Sequence, residues 1–241
     1  MKAPHNSPVR TLAIIPARGN SKGIPGKNIA DMCGRPLIWY SIREAHKAKL
    51  LDATIVSTDD EEIAQVACDL GADVPFLRPA EFARDDSRDV EFLQHALDWV
   101  EHEREWKPDI VLFLPPTSPS RTADDIDTAI QLMDSSGADS VRTMVHPPHW
   151  NPYKMWKDAG GDGRVEPLFE SARGNVPRQE LSTWYMPVAI AYATRVSCIK
   201  EGRVWGKDVR AIKFPLDRFT DIDTSEDLVR ASEVLQKFNL V

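Results

Sequence analysis

The stretch IIPARGNSKGIPGKN, residues 14–28, decides the reading of this chain. Ile14, Ile15 and Pro16 look like the end of a buried strand, and the residues after them mix glycine with basic and amide side chains. Gly19, Gly23 and Gly26 admit backbone conformations that Cβ-bearing residues avoid, so successive N–H groups can turn toward one object. Arg18, Lys22 and Lys27 surround that object with positive charge. The pattern predicts a strand running into a polyanion-binding loop, with a triphosphate as the natural ligand. Glycine and charge content alone leave an ordinary solvated turn open. The loop is neither GxxxxGK[ST] nor GxGxxG, so it is not a standard P-loop or dinucleotide fingerprint.

Outward from the loop, residues 11–16 (TLAIIP) form a first strand. Leu37, Ile38, Ile42 and Ala45 then predict a helix over 36–49, with Pro36 in its first turn. ATIVST (53–58) is a β-branched run; Asp59 and Asp60 can cap a following helix that stops at Gly71. Residues 74–77 predict a brief third strand. Phe92, Leu93, Ala96, Leu97 and Val100 recur as one helix face. DIVLFL (109–114) does not alternate, which suits a strand buried on both faces. Thr122 with Asp125 forms a capping box for the next helix, and 138–145 supplies another strand. Four βα units in series predict a parallel, doubly wound sheet with right-handed crossovers and ligands outside the carboxyl ends of its strands. Residues 146–182 break the rhythm and read as an arm with some strand content that packs on another subunit. Strands at 186–194 and 209–215 follow. A final helix begins at the Thr224 and Asp227 capping box and carries Leu228, Ala231, Leu235 and Phe238 on one face.

The chain of 241 residues suits one domain over 11–241 after a loose tail, 1–10, that lacks the apolar core of a signal peptide. A formal net charge of −7 argues against a general nucleic-acid or anionic-membrane binder, so any basic site is local. No run approaches the roughly 18 apolar residues of a membrane span. Cys33, Cys68 and Cys198 form no CxxC pair, which indicates neither a disulfide framework nor a zinc site and fits a reducing cytoplasm.

Two carboxylates complement the basic loop. In TDID, Asp221 and Asp223 stand two apart on an extended segment, so both can face one hard cation such as Mg²⁺ together with phosphate oxygens. Alone, the pair reads sooner as an acidic lead-in to the last helix; beside the loop the balance reverses and it predicts a metal-bridged nucleotide. HPPH (146–149) has metal-like spacing, but its prolines preclude a regular helix. His95 and His102 fall on a helix and read as core or solvated. No Ser-His-Asp elbow or HExxH occurs. Trp150, Tyr153 and Trp156 suggest packing or subunit contact rather than a nucleic-acid platform.

IIPARGNSKGIPGKN resembles the signature loop of the acylneuraminate cytidylyltransferases (CMP-sialic acid synthetases). The likeness continues through PLIWYSI, VSTDDEEIAQVA, FLRPAEFARDDS, PTSPSRTADDID, RQEL and DIDTSEDL. The resemblance implies a Rossmann-like α/β nucleotide-diphospho-sugar transferase fold, with a mostly parallel central sheet, and a homodimer joined through an arm at 146–182. It also implies that Arg18, Asn20, Ser21, Lys22, Lys27 and Asn28 hold the nucleotide, that Arg78 and the loop near Ser87 hold the cytosine, and that Asp221 and Asp223 bind Mg²⁺. Arg18, Lys27 and the two carboxylates would then be the catalytic set, with Arg178, Gln179 and Tyr185 toward the acceptor.

Two positions depart from the sialate pattern: Pro115 stands where that family has glutamine, and Pro187-Val188 where it has Asn-Gly. Both places touch the acceptor in the family, and proline has no side-chain donor. KMW (154–156) and RQ (178–179) resemble other bacterial branches. The expected activity is CMP transfer from CTP to a nonulosonic-type sugar acid with release of pyrophosphate. Another acceptor (a sugar phosphate or phosphonate), another nucleoside triphosphate, or a non-catalytic nucleotide binder are the alternatives.

Overall fold

A computed structural model describes residues 9–147, 150–174 and 176–241. Six strands form one sheet: β1 (Thr11–Pro16), β2 (Ala53–Ser57), β3 (Ile110–Phe113), β4 (Ser140–Val145), β5 (Met186–Arg195) and β6 (Val209–Lys213). Their spatial order is β6-β4-β5-β3-β1-β2. β1 runs parallel to both β2 and β3, and β6 runs parallel to β4. β5 is antiparallel to both its neighbours, so the sheet is mostly parallel, as expected, with one reversed strand inside it.

Helices cover both faces: α1 (Leu37–Lys47), α2 (Glu61–Asp69), α3 (Asp89–Glu103), α4 (Ala123–Ser136), α5 (Val196–Lys200) and α6 (Ser225–Lys237). β1 shows why its sequence does not alternate in polarity. Ala13 and Ile15 pack with α1, α2 and α4 on one face, while Leu12 and Ile14 pack with α3 and α5 on the other. Period-two side chains therefore enter two separate cores, and both must be apolar. The Thr122–Asp125 and Thr224–Asp227 capping boxes are both formed.

Two local expectations need correction, and one short helix was not anticipated. Residues 74–77 make no sheet strand; just past the end of β2 they form one isolated bridge, Leu77 with Thr58, because Pro75 has no N–H to donate to a ladder. Pro36 immediately precedes α1 instead of entering its first turn. The short helix α5 follows β5 directly and carries too few residues to show a period.

The arm contains a small antiparallel hairpin, Trp156–Asp158 with Val165–Pro167. Where it rejoins the sheet, the β4–β5 register shifts between Arg142 and Met144, opposite Pro187. The Thr143 hydroxyl fills the gap, donating to the Val188 carbonyl and accepting from the Ala191 N–H at 3.2 Å. His149 of the HPPH motif and residues 1–8 of the tail lie outside the described residues.

Candidate active site

A cavity of about 580 Å³ opens beyond the carboxyl ends of β1 and β3, at the position a doubly wound sheet reserves for ligands. Its wall includes Arg18, Ser21, Lys22, Lys27 and Asn28 from the glycine loop, Arg78 and Ser87 from the following segment, and Asp223. Pro115, Pro116 and Thr117 close another side, with Phe82, Phe92 and Phe113 as apolar surface. Most of the expected nucleotide residues are thus brought together. Asn20 is exposed and Gln179 lies with Arg178 in the short turn Arg178–Glu180 of the arm. Tyr185 stands apart, its ring 5.9 Å from that of His146 and 5.7 Å from the Lys213 ammonium.

The glycines work by another means than the sequence suggests. Of the three, Gly26 alone has a positive φ, +60°. Gly19 and Gly23 are needed for close approach: a Cβ at Gly23 would strike the Asp223 carbonyl oxygen, and one at Gly19 would sit 2.5 Å from Asp60 Oδ2. The Gly19 N–H donates to Asp59 Oδ1 at 3.0 Å, while Asp60 caps α2 through the N–H groups of Glu62 and Ile63. The paired aspartates therefore divide two tasks, one anchoring the loop and one starting the helix. Buried Asn28 donates to the Arg18 carbonyl at 2.9 Å and braces the loop from within.

Charge across the cavity is balanced by ion pairs. Asp85 takes Arg18 at 3.0 Å and Lys22 at 2.8 Å, and these bonds, Lys22 first, hold its carboxyl below the usual range. Lys27 reaches the other wall, donating to the Ile222 carbonyl at 2.8 Å and to Asp223 Oδ1 at 3.0 Å. Asp221 and Asp223 flank the fully buried Ile222, whose N–H is fixed to the Thr117 carbonyl at 3.0 Å. This alternation turns both carboxylates away from the core. Surrounding protein pushes the Asp221 carboxyl up; a hydrogen bond from Thr117 opposes the shift and the neighbouring Asp223 charge adds to it.

Two crowded carboxylates beside a phosphate-sized basic loop are hard oxygen donors suited to Mg²⁺. Among the described residues no cluster of three or more His, Cys, Asp or Glu side chains forms a cage. Mg²⁺ sites in general use one or two carboxylates and borrow phosphate oxygens. His95 makes edge-on contact with Phe76 at 4.7 Å, in keeping with a core histidine.

Arg78 is buried, and its donors point into the protein: Nε to Ser57 Oγ at 3.0 Å, Nη2 to the Ser57 carbonyl, Nη1 to the Phe82 carbonyl at 3.5 Å. Burial pushes its guanidinium down to about 10, against the pull of Asp59. The side chain lies over Phe92 at 4.5 Å, so it frames the cavity as much as it offers itself to a ligand. Ser87 Oγ is likewise committed, donating to the Glu81 carbonyl at 2.8 Å.

Arg121, in PTSPSRT, is the residue that sequence reasoning missed. It is 1% exposed and donates to the carbonyls of Pro115 (2.9 Å), Ala189 (3.0 Å) and Ile190 and to Ser41 Oγ (2.7 Å). Burial pushes it down to about 9, with Asp125 and Glu44 opposing. The guanidinium ties the Pro115 wall to β5 and α1. Its one sequence signal was an arginine following a loop of small residues, which is also what a surface arginine looks like.

The profile of the cytidylyltransferase family matches residues 12–150, from β1 through every cavity wall but that at Asp223 and on to the start of the arm. The chain belongs to the cytidylyltransferase family. This cytidylyltransferase is accordingly a nucleotidyltransferase enzyme of the CMP-sialic acid synthetase-like group. It is 29% identical over 234 residues to a pseudaminic acid cytidylyltransferase of Campylobacter jejuni, an alignment covering 96% of this chain and 98% of the relative. It is 37% identical over 231 residues to an N-acylneuraminate cytidylyltransferase of Escherichia coli, covering 95% of this chain and 53% of that longer protein. A solved CMP:2-keto-3-deoxy-manno-octonic acid synthetase, complexed with CTP, has the same fold: TM-score 0.69, 18% identity, 95% of this chain and 99% of the other.

Proposed function

We propose that this enzyme transfers CMP from CTP to a nonulosonic-type sugar acid and releases pyrophosphate. The observation that carries the reading is one cavity walled on one side by the basic glycine loop and on the other by Asp223, two residues after Asp221, the two walls joined through Lys27. Its volume is of the size that holds a small organic ligand, roughly 300–1,000 Å³. The full-length relative acts, by its name, on pseudaminic acid, and the Escherichia coli relative on an N-acylneuraminate.

In the reaction, an acceptor hydroxyl oxygen bonds to the α-phosphorus as the bond to the bridging oxygen of pyrophosphate breaks, and the hydroxyl proton leaves to solvent. Arg18, Lys22 and Lys27 hold phosphate oxygens and neutralise charge that grows toward the leaving group. Asp221 and Asp223 would hold Mg²⁺, which when bound supplies further charge neutralisation and orients the phosphates. Positioning supplies the rest, and no protein nucleophile is needed. Pro115 in the cavity wall and Pro187 at the start of β5 present no side-chain donor, which supports an acceptor other than sialate itself. The arm, with Trp150, Trp156 and Phe169 exposed, is proposed to join two copies into a dimer; size-exclusion with light scattering tests that, and a monomer at all concentrations rejects it.

Pyrophosphate release, measured across the four nucleoside triphosphates and a panel of sugar acids, sugar phosphates and phosphonates, tests the activity. CTP with a nonulosonic acid is the expected pair. Turnover only with a sugar phosphate would reject the acceptor, and preference for GTP would reject the nucleotide.

A further inference from the structure

The cavity contains one carboxylate to which neither the phosphate loop nor the metal pair gives a task. Asp89, the first residue of α3, lines the wall near Arg78, Phe82, Ser87 and Phe92. Among the described residues its carboxylate has no hydrogen-bond or ion-pair partner; the charge it feels is that of Arg78, whose donors are already committed to Ser57 and Phe82.

Starting the helix does not account for it. The first turn of α3 is closed without Asp89, by the Glu91 carboxylate accepting from the Arg88 N–H at 3.1 Å and the Glu91 N–H donating to the Arg88 carbonyl at 3.0 Å. A carboxylate placed only to meet a helix N-terminus would be held low. Asp89 keeps exposed surface, yet the protein around its carboxyl pushes it up, with Arg78 only partly opposing.

An ionised carboxylate accepts hydrogen bonds and cannot donate them. Beside the ring of Phe82, an apolar surface that suits a flat heterocycle, it selects for a base whose edge carries a donor. Cytosine presents an exocyclic amine where uracil presents a carbonyl oxygen, and carboxylate-to-amine pairing is a known way of reading cytosine. We propose that the Asp89 carboxylate accepts a hydrogen bond from the 4-amino group of cytosine and is the residue by which this enzyme rejects UTP. The inference rests on the CTP reading above and adds the group that enforces it.

Calorimetry of CTP and of UTP, each with Mg²⁺, on the full chain and on its Asp89→Asn and Asp89→Ser variants, tests this without any acceptor. The parent should bind CTP more tightly than UTP. Asp89→Asn, whose amide can donate to the uracil oxygen, should lose on the order of 10- to 100-fold in CTP affinity and bring the two nucleotides close to parity. Asp89→Ser should weaken CTP and leave UTP weak. The two variants differ in size and polarity, so thermal unfolding identifies a misfolded one and the other decides. A CTP-selective parent whose variants keep the same CTP-to-UTP ratio overturns the role of Asp89 alone. A parent that binds UTP as well as CTP overturns both this role and the CTP reading.

Discussion

The loop at 17–28 and the described part of the arm at 146–182 are both irregular, rich in glycine or proline, and outside the six-stranded sheet, yet they are held in opposite ways. The loop is tied across the chain: the Ala17 N–H to the Ser57 carbonyl at 3.0 Å, Gly19 to Asp59, and Lys27 to Ile222 and Asp223. Among the described residues the arm's bonds include many local ones, such as Gly161 N–H to Asp158 at 2.8 Å, Arg164 to the Ala159 carbonyl at 2.9 Å, and Lys157 to Glu166 at 2.8 Å. Long-range ties freeze one geometry, as chemistry on a triphosphate requires. Local ties let a segment change its residues without disturbing the core, which suits a region that meets a variable acceptor or a second subunit.

The largest test of this contrast is at the carboxylates. Asp221→Asn should lower kcat about 1,000-fold, in the range seen when one preorganised charge-stabilising group is lost, while CTP binding stays measurable by calorimetry. Retained turnover would break the assignment. The same variant has a stability signature. Because the folded Asp221 carboxyl is held above its unfolded value, its contribution to stability is full in acid and is lost as pH rises through the folded value. Asp221→Asn should therefore unfold at a higher temperature than the parent at pH 7 and at the same temperature below about pH 3, where both side chains are neutral.

Next comes Arg121→Met, which strands the carbonyls of Pro115, Ala189 and Ile190. Denaturant unfolding should show a loss of about 3 kcal/mol, the scale of several buried acceptors left unpaired. Gly23→Ala should follow. The added Cβ meets the Asp223 carbonyl and must push the loop or the carboxylate segment aside, lowering kcat/KM about 100-fold, with a smaller change in thermal stability. The smallest effect belongs to the arm. Trp156→Ala, at a side chain 46% exposed, should alter monomer stability by no more than about 0.5 kcal/mol. A larger loss would show that the arm is locked to the body as the loop is.

Much of the architecture was legible because burial on two faces leaves a periodic mark. β1, β2 and β3 read as apolar runs, α3 and α4 as amphipathic stripes, and both capping boxes as written. The basic loop and the TDID carboxylates were legible as chemistry because charge and glycine are conspicuous in a chain of acidic balance. Residues 74–77 misled for a physical reason: apolar side chains around a proline look like a strand until the missing N–H is counted.

Determined by the sequence alone, then, were the βα order, the place of the basic glycine loop, and the residue types proposed here for a triphosphate and a hard cation. Tertiary structure decided what each residue does, because function here depends on contacts between segments up to two hundred positions apart. It reversed β5 within the sheet, set Arg121 inside the fold as a brace, and turned Arg78 and Asn28 toward the protein. It made Gly23 a point of contact with Asp223 and left Asp89 facing the cavity without a partner. None of these leaves a local periodic signal, since spacing along a chain records which face is buried and not what lies against it.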